Sequence, residues 1–354
     1  MGTAWDHRSS LRQRINTTFL QSLIDYLIHK DMSSSRPRNL SYRDIDPKRR
    51  HLQEITQQTI KAINDGHFYL PDLTSNMPLR QDITIDTELI TEYFRPESHR
   101  LKSWQRGPPP AVAAERHVDQ LKVAVQIERM STLQGAYSLS QKYPASRVGV
   151  LNFASATRPG GGFVNGASAQ EESIARSSTL YVSLTTPQAR PFYDLHDRDN
   201  KGGYYSHAMI YSPAVTIFRD DDGNWLQPYH VDIVTSPAVN AGLVRRLYQR
   251  RYGRKSETEA RILSVMKERM GRILALFEGE GTRNLVLGSF GTGVFQNEVV
   301  PLARIWGELL DAPGARFAYS FDQVIFAIPD VFTWRQFRRG FSAGASPPSN
   351  RFRL

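Results

Sequence analysis

The chain of 354 residues carries 45 Lys and Arg against 35 Asp and Glu, a formal net charge of +10, with 40% hydrophobic and 23% charged residues. That composition suits a soluble globular protein of one large domain or a core with an added lobe, and the basic excess suits a polyanionic partner. The absence of cysteine excludes disulfides, zinc–thiolate sites and thiol nucleophiles, and no run approaches the roughly 18 apolar residues of a membrane span.

Residues 1–8 lack the apolar core of a secretory signal, and Asp6 stands where a myristoylation motif needs Ser or Thr. Residues 8–31 place Leu11, Ile15, Phe19, Leu23, Tyr26 and Leu27 near helical spacing, and Arg36-Pro37-Arg38 closes the break after them. A second helix is expected over 47–65, opened by Pro47 and stopped at Gly66. Residues 67–110 alternate short extended runs with turn residues and end in Gly107-Pro108-Pro109-Pro110. A further helix is expected over 113–143, ahead of Pro144. Residues 1–145 thus read as a mostly helical extension packing on the core.

From Val148 the texture changes to short apolar strands alternating with helices, the pattern of an α/β sheet. Strands are expected at 148–153, 209–218, 229–236, 284–288 and 323–328, with Asp220-Asp221-Asp222-Gly223-Asn224 as a turn. The clearest helix lies over 256–279, with Ile262, Val265, Met266, Met270, Ile273, Leu274 and Phe277 on one face. A helix is also expected from about 297 to 310. The core closes near residue 340, and 341–354 read as a disordered tail with Pro347-Pro348.

Two glycine-rich loops follow strands. The first is Arg158-Pro159-Gly160-Gly161-Gly162-Phe163, and seven residues after Phe163 comes Gln170-Glu171-Glu172, opening a helix expected to run to Leu184. Three glycines without Cβ atoms let the backbone take φ > 0 and approach a ligand closely. Ser168-Ala169-Gln170-Glu171 also fits a capping box, with Ser168 as N-cap and Glu171 reaching back. Glu172 lies roughly 100° further round the helix and is free of that duty. The second loop, Gly288-Ser289-Phe290-Gly291-Thr292-Gly293, is neither a Walker A loop nor a dinucleotide fingerprint. It fits either a plain tight turn or a phosphate cradle at the end of a strand. Two such loops on neighbouring strands could clamp a diphosphate through backbone amides. Phe163 and Phe295 would then stack on rings or belong to the core.

The run from Leu151-Asn152-Phe153-Ala154 through the triple glycine to Gln170-Glu171-Glu172 resembles the signature of poly(ADP-ribose) glycohydrolases, and most closely their microbial-type branch. Ala175-Arg176-Ser177-Ser178-Thr179-Leu180-Tyr181, Thr235-Ser236-Pro237-Ala238-Val239-Asn240-Ala241-Gly242 and Gly288-Ser289-Phe290-Gly291-Thr292-Gly293-Val294-Phe295 match the same branch. The resemblance covers about residues 145–330. Ser289-Phe290 and Thr292 depart from an Ala-Trp and a Cys common in the bacterial motif, and Asn297-Glu298 from an Asn-Asp-Pro.

What the resemblance implies is a macrodomain fold, a mixed sheet between helices, that cleaves ribose–ribose O-glycosidic bonds from the free end of the polymer and releases ADP-ribose. On the matching positions, Glu172 would be the acid–base group and Glu171 would hold the neighbouring ribose. Substrate would be bound by Asn152, Ala154, Gly160, Gly161, Gly162, Phe163, Gln170, Asn240, Ser289, Gly291, Thr292, Gly293, Val294 and Phe295. No metal or other cofactor is implied. The partners would be poly(ADP-ribose) and ADP-ribosylated proteins, met by a monomer in the nucleus or cytoplasm as part of ADP-ribosylation reversal in the DNA damage response.

Adjacent carboxylates cannot face each other across a bond, so a single-glutamate scheme fits better than a two-carboxylate one. The alternative is a macrodomain that binds ADP-ribose or its polymer without cutting it, and a plain nucleic-acid binder rests on net charge alone. Asp194, His196, Asp197 and Asp199, with the acidic turn at 220–222, show no recognised metal-ligand spacing. His207 and His230 read as core or edge histidines.

Overall fold

The computed structural model describes residues 46–71, 77–83, 91–107, 122–252 and 255–346. The helix expected over 8–31 lies outside them. Helix α1 (Pro47–Asp65) starts on the Asp46 side chain, which accepts the Lys48 N–H, and stops at Gly66 in the left-handed region. It is followed by a two-stranded ribbon, β1 (His67–Leu70) and β2 (Leu79–Asp82).

The remaining elements, in order, are β3 (Glu92–Phe94), β4 (Ala124–Glu128), α2 (Thr132–Lys142), β5 (Val148–Phe153), α3 (Gln170–Ser177), α4 (Leu180–Leu184) and α5 (Arg190–Arg198). Then come β6 (Met209–Arg219), β7 (Trp225–Ser236), α6 (Ala241–Tyr252), α7 (Lys255–Gly279), β8 (Asn284–Leu287), α8 (Val299–Leu310), β9 (Gln323–Ala327) and α9 (Val331–Ala345). Seven strands form one sheet in the order β3-β6-β7-β5-β8-β9-β4. From β7 to β4 every neighbouring pair is parallel, while β6 runs antiparallel to both of its neighbours.

Helices cover both faces, which is what a parallel sheet requires. On one face α7, α8 and α9 pack through Met266, Met270, Phe277, Trp306 and Phe337. On the other, α2, α3, α4 and α5 pack through Leu133, Ile174, Leu180 and Phe192. Central β5 is almost wholly buried because it feeds both layers, with Val148 and Val150 on one side and Leu151 on the other. Gly149 is needed there, because a Cβ would meet the Phe277 ring at 2.7 Å.

Four expectations are corrected. Residues 113–143 do not form one helix, since β4 occupies part of the span and α2 begins only at Thr132. Val123, Val125 and Ile127 alternate with the exposed residues Lys122, Ala124, Gln126 and Glu128, a period-2 signal that an edge strand with one half-buried face satisfies. Both edge strands of the sheet therefore come from before residue 145, and the core does not begin at that point. The helix opening at Gln170 does not continue to Leu184, because Ser178 is extended and Ser178 Oγ bonds back to the Ile174 carbonyl. Finally, α9 runs through Phe341 to Ala345 rather than giving way to a tail at 341. Gly340 and Gly344 press against the backbone of α8 at Val300 and Arg304 and hold it there.

Candidate active site

Every parallel strand of the sheet delivers its carboxyl end to one edge, and there a cleft of about 820 Å³ opens. Arg129, Met130 and Ser131 follow β4, and Ile328, Pro329 and Asp330 follow β9. Residues 289 and 291–295 follow β8, Ala154 and Ser155 follow β5, and Ala238 follows β7. This is where an open α/β sheet binds ligands. Because β5 and β8 are paired neighbours, the two glycine loops of the sequence emerge side by side.

The amino terminus of α3 brings two carboxylates to the cleft. Gln170 anchors it to the sheet: its Oε1 accepts the Phe153 N–H at 2.9 Å and its Nε2 donates to the Leu151 carbonyl at 2.7 Å. Glu171 is buried beneath the cleft. It accepts the Ser155 N–H at 2.6 Å and the Asn152 amide at 3.2 Å. Glu172 accepts the Gly162 N–H at 2.9 Å. The capping box expected at Ser168 is therefore absent: Ala169 is the N-cap, and Glu171 turns to the end of β5 instead of back to its own helix. A capping box does form at Ser131 and Gln134, where α2 begins.

The electrostatics follow from burial. Desolvation pushes the Glu171 carboxyl up to about 8, against the pull of the Ser155 and Asn152 donors and with help from the charge of Glu172. Asp221, from the β6–β7 turn, is raised by the same cause and accepts the Ser131 hydroxyl at 2.5 Å. Buried Arg176 has its pKa lowered, opposed by the charges of Glu172 and Asp221, and its guanidinium donates to the Ala167 carbonyl. Burial thus favours the protonated form of Glu171.

Of the residues expected to bind substrate, Ala154, Gln170, Ser289, Gly291, Thr292, Gly293, Val294 and Phe295 line the cleft together with Glu171 and Glu172. Gly161 and Gly162 pass beneath the carboxylates, with Gly161 at φ +60°. Others serve behind the wall. Asn152 is fully buried and holds Glu171, and Asn240 accepts the Leu243 N–H at the start of α6. Gly160 lies against the rings of Phe163 and Tyr181.

Phe163 offers no ring face to a ligand. It is 1% exposed and packs on Tyr181 with ring centroids 4.5 Å apart, because α1 covers its other side. Phe295 is half-buried and faces the cleft. Sequence reasoning missed Arg129, Ser131, Thr132, Asp221, Asp330 and Thr333, all on the cleft. The polar residues just after the β4 pattern would have signalled the first three, had that strand been recognised.

Among the described residues, no three His, Cys, Asp or Glu side chains are grouped to hold a metal ion. His196 is buried, accepts the Ser206 N–H and is pushed down to about 4 by desolvation. Burial holds His207 at about 3, and His230 meets the Thr216 hydroxyl at 3.2 Å.

Comparison with known proteins gives a consistent result. The family model described as the microbial-type PARG catalytic domain matches residues 56–220. No curated protein matches. The chain is similar to poly(ADP-ribose) glycohydrolase from Thermomonospora curvata, at 33% identity and TM-score 0.70, over 82% of this chain and 100% of that one. For the T. curvata structure bound to the inhibitor ADP-HPD, the values are 33% and 0.68, over 82% and 99%. Poly(ADP-ribose) glycohydrolase from Deinococcus radiodurans in complex with ADP-ribose is 33% identical with TM-score 0.62, over 74% of this chain and 100% of that one.

Proposed function

The chain belongs to the microbial-type poly(ADP-ribose) glycohydrolase family, and we propose that it hydrolyses ribose–ribose O-glycosidic bonds of poly(ADP-ribose) to release ADP-ribose. One observation carries the reading: Glu172, at the first turn of α3, is held by the Gly162 N–H on the wall of a cleft that all five parallel strands feed.

In this reading Glu172 donates a proton to the leaving ribose oxygen as the bond from that oxygen to the anomeric carbon breaks. The resulting oxocarbenium ion takes up a water molecule, and the Glu172 carboxylate recovers the proton from it. Glu171 holds the ribose hydroxyls beside the scissile bond. The loop at 289–295 cradles the diphosphate by its backbone amides. The net charge of +10 favours encounter with a polyanion. The partners are the polymer and the ADP-ribosylated proteins that carry it, in the nucleus or cytoplasm. Cleavage proceeds from the free end.

The test is release of ADP-ribose from protein-bound polymer by the wild type and by Glu172→Ala, with polymer binding measured alongside. The variant is expected to bind and to release ~10²–10⁴-fold more slowly. Wild-type protein that binds polymer without shortening it would instead be a reader. Free-end cleavage predicts monomeric ADP-ribose from the earliest time points, and early oligomers would contradict it.

A further inference from the structure

We propose that α1 positions the catalytic loop, acting through Thr59, Thr56 and Arg49, an inference that rests on the acid–base role of Glu172. The inner face of α1 buries Ile55, Thr56, Thr59, Ala62 and Ile63, so two hydroxyls sit where apolar side chains would pack more cheaply. A threonine inside a helix ordinarily bonds its own carbonyl one turn back. Thr56 does so to Leu52 and also reaches the Phe163 carbonyl at 3.1 Å. Thr59 turns outward, donating to the Arg176 carbonyl at 2.7 Å.

Those two acceptors bracket the catalytic unit. Arg176 belongs to the last turn of α3, where carbonyls have no partner within the helix, and Thr59 satisfies this one. Phe163 directly follows Gly162, whose N–H holds Glu172. Arg49, exposed on the first turn of α1, donates from Nε to the Asn165 carbonyl at 2.6 Å. The next residue, Gly166, has φ +72° and lies so close to the Arg49 backbone that a Cβ would overlap the Arg49 carbonyl. The circuit closes through Arg176, whose carbonyl is held by Thr59 and whose guanidinium holds Ala167 at the far end of the loop. Loop carbonyls 163, 165 and 167 are thus all fixed from outside the cleft. Ile60 completes the contact by packing on the Phe163, Ala175 and Tyr181 cluster.

None of these three side chains lines the cleft. They act on Glu172 through the loop and are positioning residues. Loss of a hold should let the Gly162 amide, and with it the carboxyl, drift from its productive place while the phosphate loop, carried by β8, still binds ligand.

The experiment compares Thr59→Val, which keeps shape and removes the donor, with Thr59→Ser, which keeps the donor. Thr59→Val is expected to lower kcat ~10-fold with KM and ADP-ribose affinity within about twofold, and Thr59→Ser to restore most of kcat. Hydrogen exchange of peptides spanning 160–169 should speed up in Thr59→Val alone. A variant that melts lower yet keeps wild-type kcat and wild-type loop exchange overturns the proposal, because the hydroxyl is then only a packing contact. Should Thr59→Val fail to fold, Arg49→Ala at the surface carries the test: ~3-fold lower kcat with faster loop exchange supports it, and no change in either overturns it. If the wild type itself releases no ADP-ribose, the catalytic reading falls, while the exchange data still judge the clamp.

Discussion

Gly161 lies directly beneath Glu172: a Cβ built on Gly161 would overlap the Glu172 Oε1 oxygen and stand 3.0 Å from its Cδ, and the glycine backbone holds φ +60°. The same point is 3.1 Å from Oε2 of Glu171, so the two carboxyls converge over one residue that has no side chain. A methyl group there meets both carboxylates and a backbone conformation that costs L-residues about 1–2 kcal/mol.

Gly161→Ala is therefore expected to lower stability by about 1–3 kcal/mol and ADP-ribose release by ~10²-fold or more. Gly162→Ala is the control, since φ there is −106° and the nearest atom, the Ala167 Cβ, would be 3.1 Å away. Denaturant melts and initial rates on polymer decide it, and equal rates for the two variants would refute the account.

Titration of Glu171 should appear in stability. Its carboxyl, ordinarily near 4.5, is pushed by burial to about 8, so between those values the folded chain keeps a proton that the unfolded chain has released. This contribution is complete below about pH 4.5 and is lost as pH rises through about 8. Glu171→Gln removes the titration while leaving an acceptor for the Ser155 N–H. Its melting temperature relative to wild type is expected to climb between about pH 5 and about pH 8.5, and a flat difference would show that Glu171 is ionised in the folded chain.

The two aromatic candidates should separate cleanly. Phe163→Ala hollows a packed cluster and is expected to cost about 3–5 kcal/mol of stability. Phe295→Ala opens onto the cleft, and its effect should fall on ADP-ribose affinity, ~10-fold or more if the ring stacks on ligand. Calorimetric titration beside thermal melts distinguishes them, and an affinity loss in Phe163→Ala without destabilisation would reverse the assignment.

In the glycine loop after β8, Gly291 has φ +77°, and a Cβ there would overlap the Ala238 Cβ and approach the Asn297 amide to 2.8 Å. Gly293 has nothing within 4 Å. Gly291→Ala is expected to weaken ADP-ribose binding by ~10–100-fold, in keeping with loss of one well-placed amide, while Gly293→Ala changes it little. Equal losses at both positions would mean that glycine flexibility, not the seat on Ala238, matters.

Much of the site was legible before folding. Gly160-Gly161-Gly162 and Gln170-Glu171-Glu172 are local features, since φ > 0 and a helix start are set within a few residues. The strands at 148–153 and 284–287 were legible because buried parallel strands are short unbroken apolar runs. Pro47 and Gly66 likewise marked α1, whose ends depend on local capping.

Other roles escaped the sequence. Glu171 fitted a capping box by spacing, yet the box needs its carboxyl to turn back on the helix, and the Ser155 amide and Asn152 side chain draw it elsewhere. Phe163 could have stacked or been buried, and only α1, packed over it from more than a hundred residues upstream, decides between them. Strand β4 was hidden because an edge strand with one half-buried face carries a weak alternation that a helical reading also tolerates.

The sequence by itself determined the α/β class and the two glycine loops, because those follow from apolar periodicity and local backbone freedom, while the acid pair was marked by the resemblance of its motif. Tertiary structure alone decided which backbone amide each carboxyl accepts, which aromatic meets the cleft, and that α1 braces the loop from behind. Each of those depends on hydrogen bonds and packing between segments whose separation along the chain carries no local signal.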